Sequence, residues 1–560
     1  MKRHAFLIGI ILLLASLLRL FYLGKTPISL EWDEVAIGYD AYSILETGRD
    51  QFGKFLPITF RSLDDYKPPI YEYITVPVVA LFGLSEFSVR LPSAILGIAT
   101  VGLTYYLTLL IFSRVPSVKA YSNFIAYLSS FLIAISPWHL QFSRAAFEVN
   151  VSVFITMLAV YFFIRGLIEP KLFLLSAFFF GLDLFSYHST RVVAPLLMAS
   201  LYIIFNQHLP VKRFILLFFL IFGIFFISFI PILISPEAQI RFKATNIFNP
   251  GARYLEEKDL DKIFLDNRIQ DKNVGFEFAG KIFHNQRLIF TDYDTLKKAF
   301  SKYISHFGFE FLFIKGDVPL HHAPGFGLLY LFELPFLIIG VQYLLRKGLN
   351  HYTLILPIWL LIVPLPVSVT REAPHAVRSE LFLPIFQLFT ALGVVLIFIF
   401  IRHQSRWFFI TYLIVIVMLL SINHAFYLHQ YYVHTNYELS RNWMYGRKEA
   451  VEFTEKIKNN YEKVLVSLRV DMPHIFWLFY TKYPPNKYLL KGGTSSGGFE
   501  EKNHFDKYEF RYFNYYSEEP NNKILMVGTP NDFPQDANVI KTIYYLDGTE
   551  ALKIVENRQK

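Results

Sequence analysis

Cysteine is absent from the chain. That excludes a disulfide frame, a thiol nucleophile and a thiolate metal site, and it says nothing of redox compartment. Phosphate-loop chemistry has no support either. The glycine-rich stretch "KGGTSSGG" (491–498) lacks a Gly-Lys-Ser/Thr and opens no helix, so it reads as a flexible surface loop. No internal repeat is visible. The balance of a soluble domain, about 45–50% apolar residues, is missing as well: 54% of residues are hydrophobic, 18% aromatic, and the mean hydropathy is +0.36.

What the chain has instead is a series of apolar runs of about 20 residues, the length that crosses a hydrocarbon core of about 30 Å. Eleven spans are expected, near 6–23, 91–112, 121–137, 150–166, 171–187, 192–206, 213–234, 326–345, 353–369, 379–401 and 406–426. The first 20 residues have the basic start and apolar middle of a signal peptide. No small-x-small cleavage site follows and many more spans do, so a retained helix is expected. Basic pairs fall in alternate short loops: Lys2/Arg3, Arg114/Lys119, Arg165/Lys171, Lys212/Arg213, Arg346/Lys347 and Arg402/Arg406. The positive-inside bias makes those loops cytoplasmic, with the N-terminus inside and the C-terminus outside. The net charge of +9 is read through that distribution, and no nucleic-acid partner is expected.

Residues 70–84, "IYEYITVPVVALFGL", are apolar but too short to span, and they contain Pro77. Counting them as a span would put every basic loop outside. They are therefore expected to lie along the outer interface, within a first outer loop of 24–90. A second large outer loop covers 235–325 and holds an amphipathic stretch at "YDTLKKAFSKYISHFGFEFLF". The expected organisation is a membrane unit over 1–430 and an extracytoplasmic α/β unit over 431–560. In the latter, "GRKEAVEFTEKIKNN" reads as a helix. "KVLVSLRV", "KILMVGTP" and "VIKTIYYLDGTEALKIV" read as strands, the last a hairpin around Asp547-Gly548.

The ionisable residues of the outer layer are the candidate site. The first outer loop holds Asp33, Glu34, Arg61, Asp64, Asp65, Lys67 and Arg90; later loops hold Arg144, Glu148, His188, Arg191, His321, His322, Arg371, His375 and Arg378. Ionisable groups at a membrane surface cost free energy unless paired or used. For Arg144 and Glu148 the plain alternative is a helix ion pair four residues apart, and for His188 a helix cap. As a set, acids on different loops with several cations suit transfer onto a hydroxyl from a phosphate-linked donor. A carboxylate can take the acceptor proton. Lys and Arg can hold the phosphate as charge leaves on it. Phosphate leaves with little protonation, so one base can serve where a glycosidase needs paired acids.

The order of "WDEVAIGYDAY", "DDYKPPIYEYITVPVVALFGLSEFSVRLPSAILG", "SPWHLQFSRAAFEVN" and "APHAVRSELFLP" resembles the GT-C glycosyltransferases. Within them the nearest branch is the bacterial relatives of protein O-mannosyltransferases and of lipid A aminoarabinose transferase. The resemblance covers about 1–430 and is strongest over 1–200. It implies a polytopic helical membrane protein of GT-C type in the cytoplasmic (inner or plasma) membrane. It implies a polyprenyl-phosphate-sugar donor, and a hydroxyl acceptor on protein, lipid or glycan. By position it gives the base role to Asp33, a supporting role to Glu34, and the second-loop acid to Glu148. It puts Lys67, Arg90 and, more loosely, Arg378 at the donor phosphate; Arg61 joins them as a candidate. No cofactor is expected. The aminoarabinose branch has a metal-binding carboxylate before the Lys, and Tyr66 stands there instead, which disfavours a divalent-metal requirement.

Two rival readings remain on sequence alone. A lipid or glycan transporter or flippase would carry charge at mid-membrane, and here Asp183 is the one serious candidate. A polysaccharide ligase would draw on a lipid-diphosphate donor.

Overall fold

The computed structural model describes residues 2–62, 65–235, 247, 265–278, 281, 290–495, 503–518 and 523–557. Most of the second large outer loop, Asp64, and the end of the glycine-rich stretch lie outside the described residues. Every expected span contains a helix. In chain order these are α1 (Lys2–Leu20), α4 (Glu86–Phe112), α5 (Ser122–Ile135), α7 (Glu148–Gly166), α8 (Leu172–Asp183), α9 (Thr190–Ile204), α10 (Lys212–Ile234), α12 (Glu333–Tyr343), α13 (His351–Ile362), α14 (Ile385–Ile401) and α15 (Arg406–His429). Between them lie α2 (Trp32–Thr47), α3 (Ile70–Phe82), α6 (Pro137–Phe142) and α11 (Phe290–Ser305).

Among the described residues, six helices are long and apolar enough to cross a membrane, while α1, α3, α8 and α9 are shorter apolar helices. The early end of α8 has a local cause. Asp183 accepts from the hydroxyls of Ser186 (2.6 Å) and Thr156 (2.6 Å), and its carbonyl accepts from Thr190 (2.6 Å). These contacts tie the turn into α9 and occupy the carboxylate that a transport reading would need.

Two arginines close helix C-termini from inside the bundle. Arg19 donates to the carbonyls of Ile133 and Ala134 at the end of α5. Arg144 donates to those of Leu18 and Arg19 at the end of α1. A buried cation suits the negative end of a helix, where carbonyls lack intrahelical donors.

The segment 70–84 forms α3, packed against α2 and α4. The segment expected as the first outer loop thus carries two helices joined by a hairpin of β1 (Phe60–Ser62) and β2 (Asp65–Lys67).

The C-terminal residues build a six-stranded sheet in the order β4-β5-β3-β6-β8-β7, from β3 (Lys463–Val466), β4 (Asn503–Phe505), β5 (Tyr508–Phe510), β6 (Ile524–Gly528), β7 (Val539–Tyr544) and β8 (Glu550–Asn557). β3 runs parallel to both neighbours, and β7-β8 is the hairpin expected at Asp547-Gly548, with Gly548 at φ +83°. Three helices accompany the sheet: α16 (Arg447–Ile457), α17 (Pro473–Tyr480) and α18 (Pro485–Leu490). α17, "PHIFWLFY", is missed by periodicity because it is apolar on every side and buried on every side.

α17 packs on α2. The approach is so close that a Cβ on Gly38 would come within 2.5 Å of the Phe479 ring. Tyr39 donates to the Tyr483 carbonyl at 2.9 Å, the Thr494 amide donates to the Gln51 carbonyl at 3.0 Å, and Lys448 pairs with Glu86 at 2.7 Å. The sheet unit therefore grips the segment 24–90.

Within the bundle, α12 and α14 meet through glycines. A Cβ on Gly340 would lie 2.1 Å from the Phe389 carbonyl oxygen, and one on Gly393 would lie 1.9 Å from that of Phe336. Small residues allow such backbone approach in membrane helices. Gly393→Ala should lower thermal stability by about 1–3 kcal/mol, measured by melting in detergent. Helix propensity alone predicts the opposite sign, a gain of about 1 kcal/mol.

Candidate active site

The site is assembled by a buried ion pair. Glu34 lies in the first turn of α2, and Arg90 in the first turn and a half of α4. Arg90 Nε and Nη2 each donate to a different oxygen of Glu34 at 2.8 Å. Its remaining protons go to the carbonyls of Leu23 (3.3 Å), Pro27 (2.7 Å) and Ser29 (2.6 Å). All five guanidinium donors are taken, the side chain is fully buried, and the ring of Trp443 covers it at 5.6 Å. The expected phosphate role for Arg90 is therefore corrected: it holds the loop that carries the site and has no donor left for a ligand. Glu34 also accepts from the amide of Ala146 at 3.0 Å, which brings the α6–α7 turn against α2.

Arg144 is corrected in the same way. Its guanidinium is spent on the carbonyls of Leu18, Arg19 and Thr26 and on the Tyr431 hydroxyl, and it lies over the rings of Tyr431 and Tyr432. It precedes α7 and is committed away from Glu148, so the helix ion pair gives way to a cap.

Asp33 is adjacent to Glu34 and points elsewhere. Its Oδ1 lies 2.6 Å from Lys67 Nζ, and Ser62 Oγ approaches at 3.5 Å. Lys67 is also 3.7 Å from Glu148 Oε1, on the first residue of α7. Three segments thus meet at one ammonium. Pro68 and Pro69 follow Lys67 directly; a residue before proline is biased toward extended backbone, and Pro69, at φ −85° and ψ −14°, starts the turn into α3. The Lys67 side chain is 6% exposed, that of Glu148 12% and that of Asp33 37%, so Asp33 is the more solvent-exposed of the two carboxylates.

Two acids that sequence reasoning missed complete the cluster. Glu31 caps α2 in a reciprocal capping box with Glu34. Burial, then the neighbouring Asp33, pushes its carboxyl well above the carboxylate range. Glu72 on α3 is pushed up in the same direction by burial and then by Glu148, and its Oε2 is buried without a hydrogen-bond partner among the described residues. For Lys67, burial opposes the charge, but Asp33, Glu148 and Glu31 outweigh it and hold its pKa above the usual lysine value. The Glu-x-x-Glu spacing at 31–34 was the available signal for the cap; nothing in the sequence marks Glu72.

The remaining candidates sit in separate surroundings. The Arg61 guanidinium lies over the Phe52 ring at 5.2 Å. Arg378 donates to Thr370 Oγ1 (2.9 Å) and Glu372 Oε2 (3.1 Å). His188 packs edge-on to Tyr187, and Arg191 lies over Phe229. His322 Nδ1 meets its neighbour's carbonyl, and burial lowers its pKa. His321 Nδ1 meets Asp317 Oδ2 at 2.7 Å, with His375 3.8 Å from the same oxygen. Burial works against the Asp317 carboxylate, but the hydrogen bond from His321 and the two imidazoles hold it below the ordinary value. Tyr66 pairs across the hairpin with Arg61 and offers no carboxylate beside Lys67.

The sequence profile of the family described as Dolichyl-phosphate-mannose-protein mannosyltransferase matches residues 66–234. ArnT from Cupriavidus metallidurans in the apo state superposes with a TM-score of 0.53 at 11% identity, covering 98% of this chain and 97% of that one. The same protein bound to undecaprenyl phosphate gives a TM-score of 0.52 at 11% identity, covering 99% and 98%. The apo oligosaccharyltransferase of Archaeoglobus fulgidus gives 0.51 at 14% identity, covering 94% and 69%. No curated protein sequence matches. The matched profile and the shared GT-C fold indicate a helical membrane glycosyltransferase.

Two outcomes follow from this geometry. Glu34→Gln should cost about 3–5 kcal/mol, because it leaves Arg90 charged and uncompensated in the interior. Asp33→Asn should stay within about 1 kcal/mol, since the carboxylate it removes is partly solvated. Thermal melts of the two variants compare them directly. The second concerns Asp40 on α2, whose oxygens accept from Gln51 N and Nε2 while Gln51 in turn binds Thr494. Burial, then Asp50, pushes the Asp40 carboxyl up to about 8. A raised acid favours the folded state at low pH and loses that advantage as pH climbs from the unfolded value, about 3.9, through the folded one. Wild-type stability should fall between about pH 4 and 8, and Asp40→Asn should flatten that slope.

Proposed function

We propose that this chain transfers a sugar from a polyprenyl-phosphate-linked donor to a hydroxyl acceptor on the outer side of the membrane, with Asp33 as general base and Lys67 at the donor phosphate. The observation that carries the reading is the Lys67 ammonium set between Asp33 (2.6 Å) and Glu148 (3.7 Å), with Asp33 open to solvent. A lipid-phosphate donor is supported by the similarity to the ArnT structure bound to undecaprenyl phosphate. The outer orientation is supported by the alternation of basic loops, which puts the first outer loop and the C-terminal sheet opposite the cytoplasm. The same alternation supports eleven spans, a membrane unit over 1–430 and an outer unit over 431–560.

In the proposed step the acceptor oxygen attacks the anomeric carbon, the bond from that carbon to the phosphate oxygen breaks, and the acceptor proton passes to Asp33. The leaving phosphate monoester carries the bonding pair away, and Lys67 stabilises that charge. Before the donor arrives Lys67 is tied to Asp33; a phosphate that draws the ammonium toward itself releases the carboxylate to work as a base. Glu148 at the positive end of α7 keeps the ammonium oriented. Glu34 orients through Arg90. Acceptors of protein, lipid and glycan class all present the hydroxyl that this step needs.

Asp33→Asn should reduce transfer from a synthetic polyprenyl-phosphate sugar by about 10²–10⁴-fold in detergent, with the amount and melting temperature of the protein unchanged. Lys67→Met should reduce both transfer and binding of the lipid phosphate. Normal transfer by Asp33→Asn overturns the base assignment. Transfer from a lipid-diphosphate sugar but not from the monophosphate overturns the donor. The micelle assay has no sealed compartment, so activity in it cannot come from transport.

A further inference from the structure

A second cluster, which shares no residue with the Lys67 site, lies where the loop before α12 meets the loop before α14. Asp317 and His321 precede α12, and His375 belongs to the loop before α14. Their donor atoms all lie within 4.8 Å of one another. The two imidazoles stand 5.0 Å apart with a 42° tilt, and both approach Asp317 Oδ2 through Nδ1. The arrangement is held from behind. Asp317 Oδ2 also accepts from the Ala376 amide at 2.8 Å, so the loop carrying His375 is pinned to the carboxylate by backbone. Gly316 takes φ +66°, and a Cβ there would come within 2.5 Å of the His322 ring. The His321 side chain is 9% exposed, Asp317 7% and His375 13%.

One atom in this tight arrangement is unprovided for. Asp317 Oδ1 is buried and has no hydrogen-bond partner among the described residues. A buried carboxylate oxygen without a donor is costly unless something cationic meets it. His321 packs against the rings of Phe142 and Phe147, at 5.7 and 6.0 Å. Those rings flank the turn that leads into Glu148.

We propose that Asp317, His321 and His375 bind one divalent cation of the Zn²⁺ class, which fastens the loop before α12 to the loop before α14. Two imidazole nitrogens and one carboxylate oxygen suit a borderline metal, whereas Mg²⁺ and Ca²⁺ favour all-oxygen shells. Neutral imidazole ligates through Nδ1 once its proton has moved to Nε2, so the Asp317–His321 hydrogen bond is exchanged for two metal bonds. Three protein ligands leave a fourth position for water. The fastened loops back the aromatic pair beneath Glu148, so the cation steadies the outer layer. The proposal does not depend on the transfer reaction.

The test uses the full chain in detergent, cleared with a chelator and titrated with Zn²⁺ or Co²⁺. The expected result is one ion per chain by elemental analysis, a Co²⁺ visible spectrum of low coordination number, and a rise in melting temperature with added metal. Asp317→Asn and His375→Gln should each weaken binding by at least about tenfold, with chelated melting temperatures equal to that of the chelated wild type. Asp33→Asn with Glu148→Gln should leave the affinity in place. Failure of the wild type to retain stoichiometric metal overturns the proposal. So does a retained ion that survives Asp317→Asn and His375→Gln but is lost with Asp33→Asn and Glu148→Gln, which would assign it to the acidic cluster. Either result leaves the transferase reading untouched.

Discussion

The part of this protein that carries the candidate site depends on one guanidinium. Arg90 sends two donors to Glu34 and three to the carbonyls of residues 23, 27 and 29, while Glu34 also accepts from Ala146. Four segments therefore converge on a single buried pair: the exit of α1, the start of α2, the start of α4 and the turn into α7. Burying two charges is expensive, and apolar residues of equal volume often give more stability. What the pair supplies is register. A bidentate Arg–carboxylate contact has one geometry, and shifting any of the four segments along its axis would leave a charge or a carbonyl unpaired. The position of Glu148 relative to Asp33 follows from this, because Glu148 is two residues beyond Ala146.

Seen from that anchor, the adjacent acids of α2 have different surroundings by necessity. Consecutive residues on a helix project about 100° apart. With Glu34 facing inward to Arg90, Asp33 is turned toward the hairpin and Lys67, where it is 37% exposed. Helix α17 of the C-terminal unit presses on the same helix at Gly38 through Phe479, and Thr494 binds Gln51 just beyond its end. α2 is thus held at its start by a charge and along its length by a packed aromatic surface. A helix of 16 residues outside the bundle would otherwise have little to fix its rotation.

Much of the architecture was legible because membrane insertion writes itself into composition. Apolar runs, alternate basic loops and the short Pro-bearing segment 70–84 each reflect a solvent constraint that acts locally. The α16 helix and the β7–β8 hairpin were legible for similar reasons, through amphipathic period and an Asp-Gly turn. The fate of individual arginines was not. Arg90 and Arg144 were expected in outer loops, as phosphate ligands would be, yet three of Arg90's donors and three of Arg144's hydrogen bonds go to carbonyls at the end of α1 and its exit. Those partners are backbone atoms, so no residue type advertises them. Glu31 and Glu72 were missed for the complementary reason: their importance comes from proximity to Lys67 across three segments, and Asp317 came to light only when His321 and His375 fell beside it.

The charge balance around Lys67 orders the events of the proposed reaction. Glu31 and Glu72 are pushed toward their neutral forms by burial, so the ammonium is shared chiefly by Asp33 at 2.6 Å and Glu148 at 3.7 Å. A base that is ion-paired is a weak base. A donor phosphodiester adds a third anion, of one charge like each carboxylate, beside an ammonium that cannot hold all three closely, and Asp33 is the carboxylate that solvent can stabilise in its place. Its arrival would leave Glu148 as the residual partner of Lys67 and release Asp33, the acid nearest solvent, toward an incoming hydroxyl. Donor binding would in this way precede activation of the acceptor, and a site holding no donor would keep its base quenched, which protects against misplaced proton transfer.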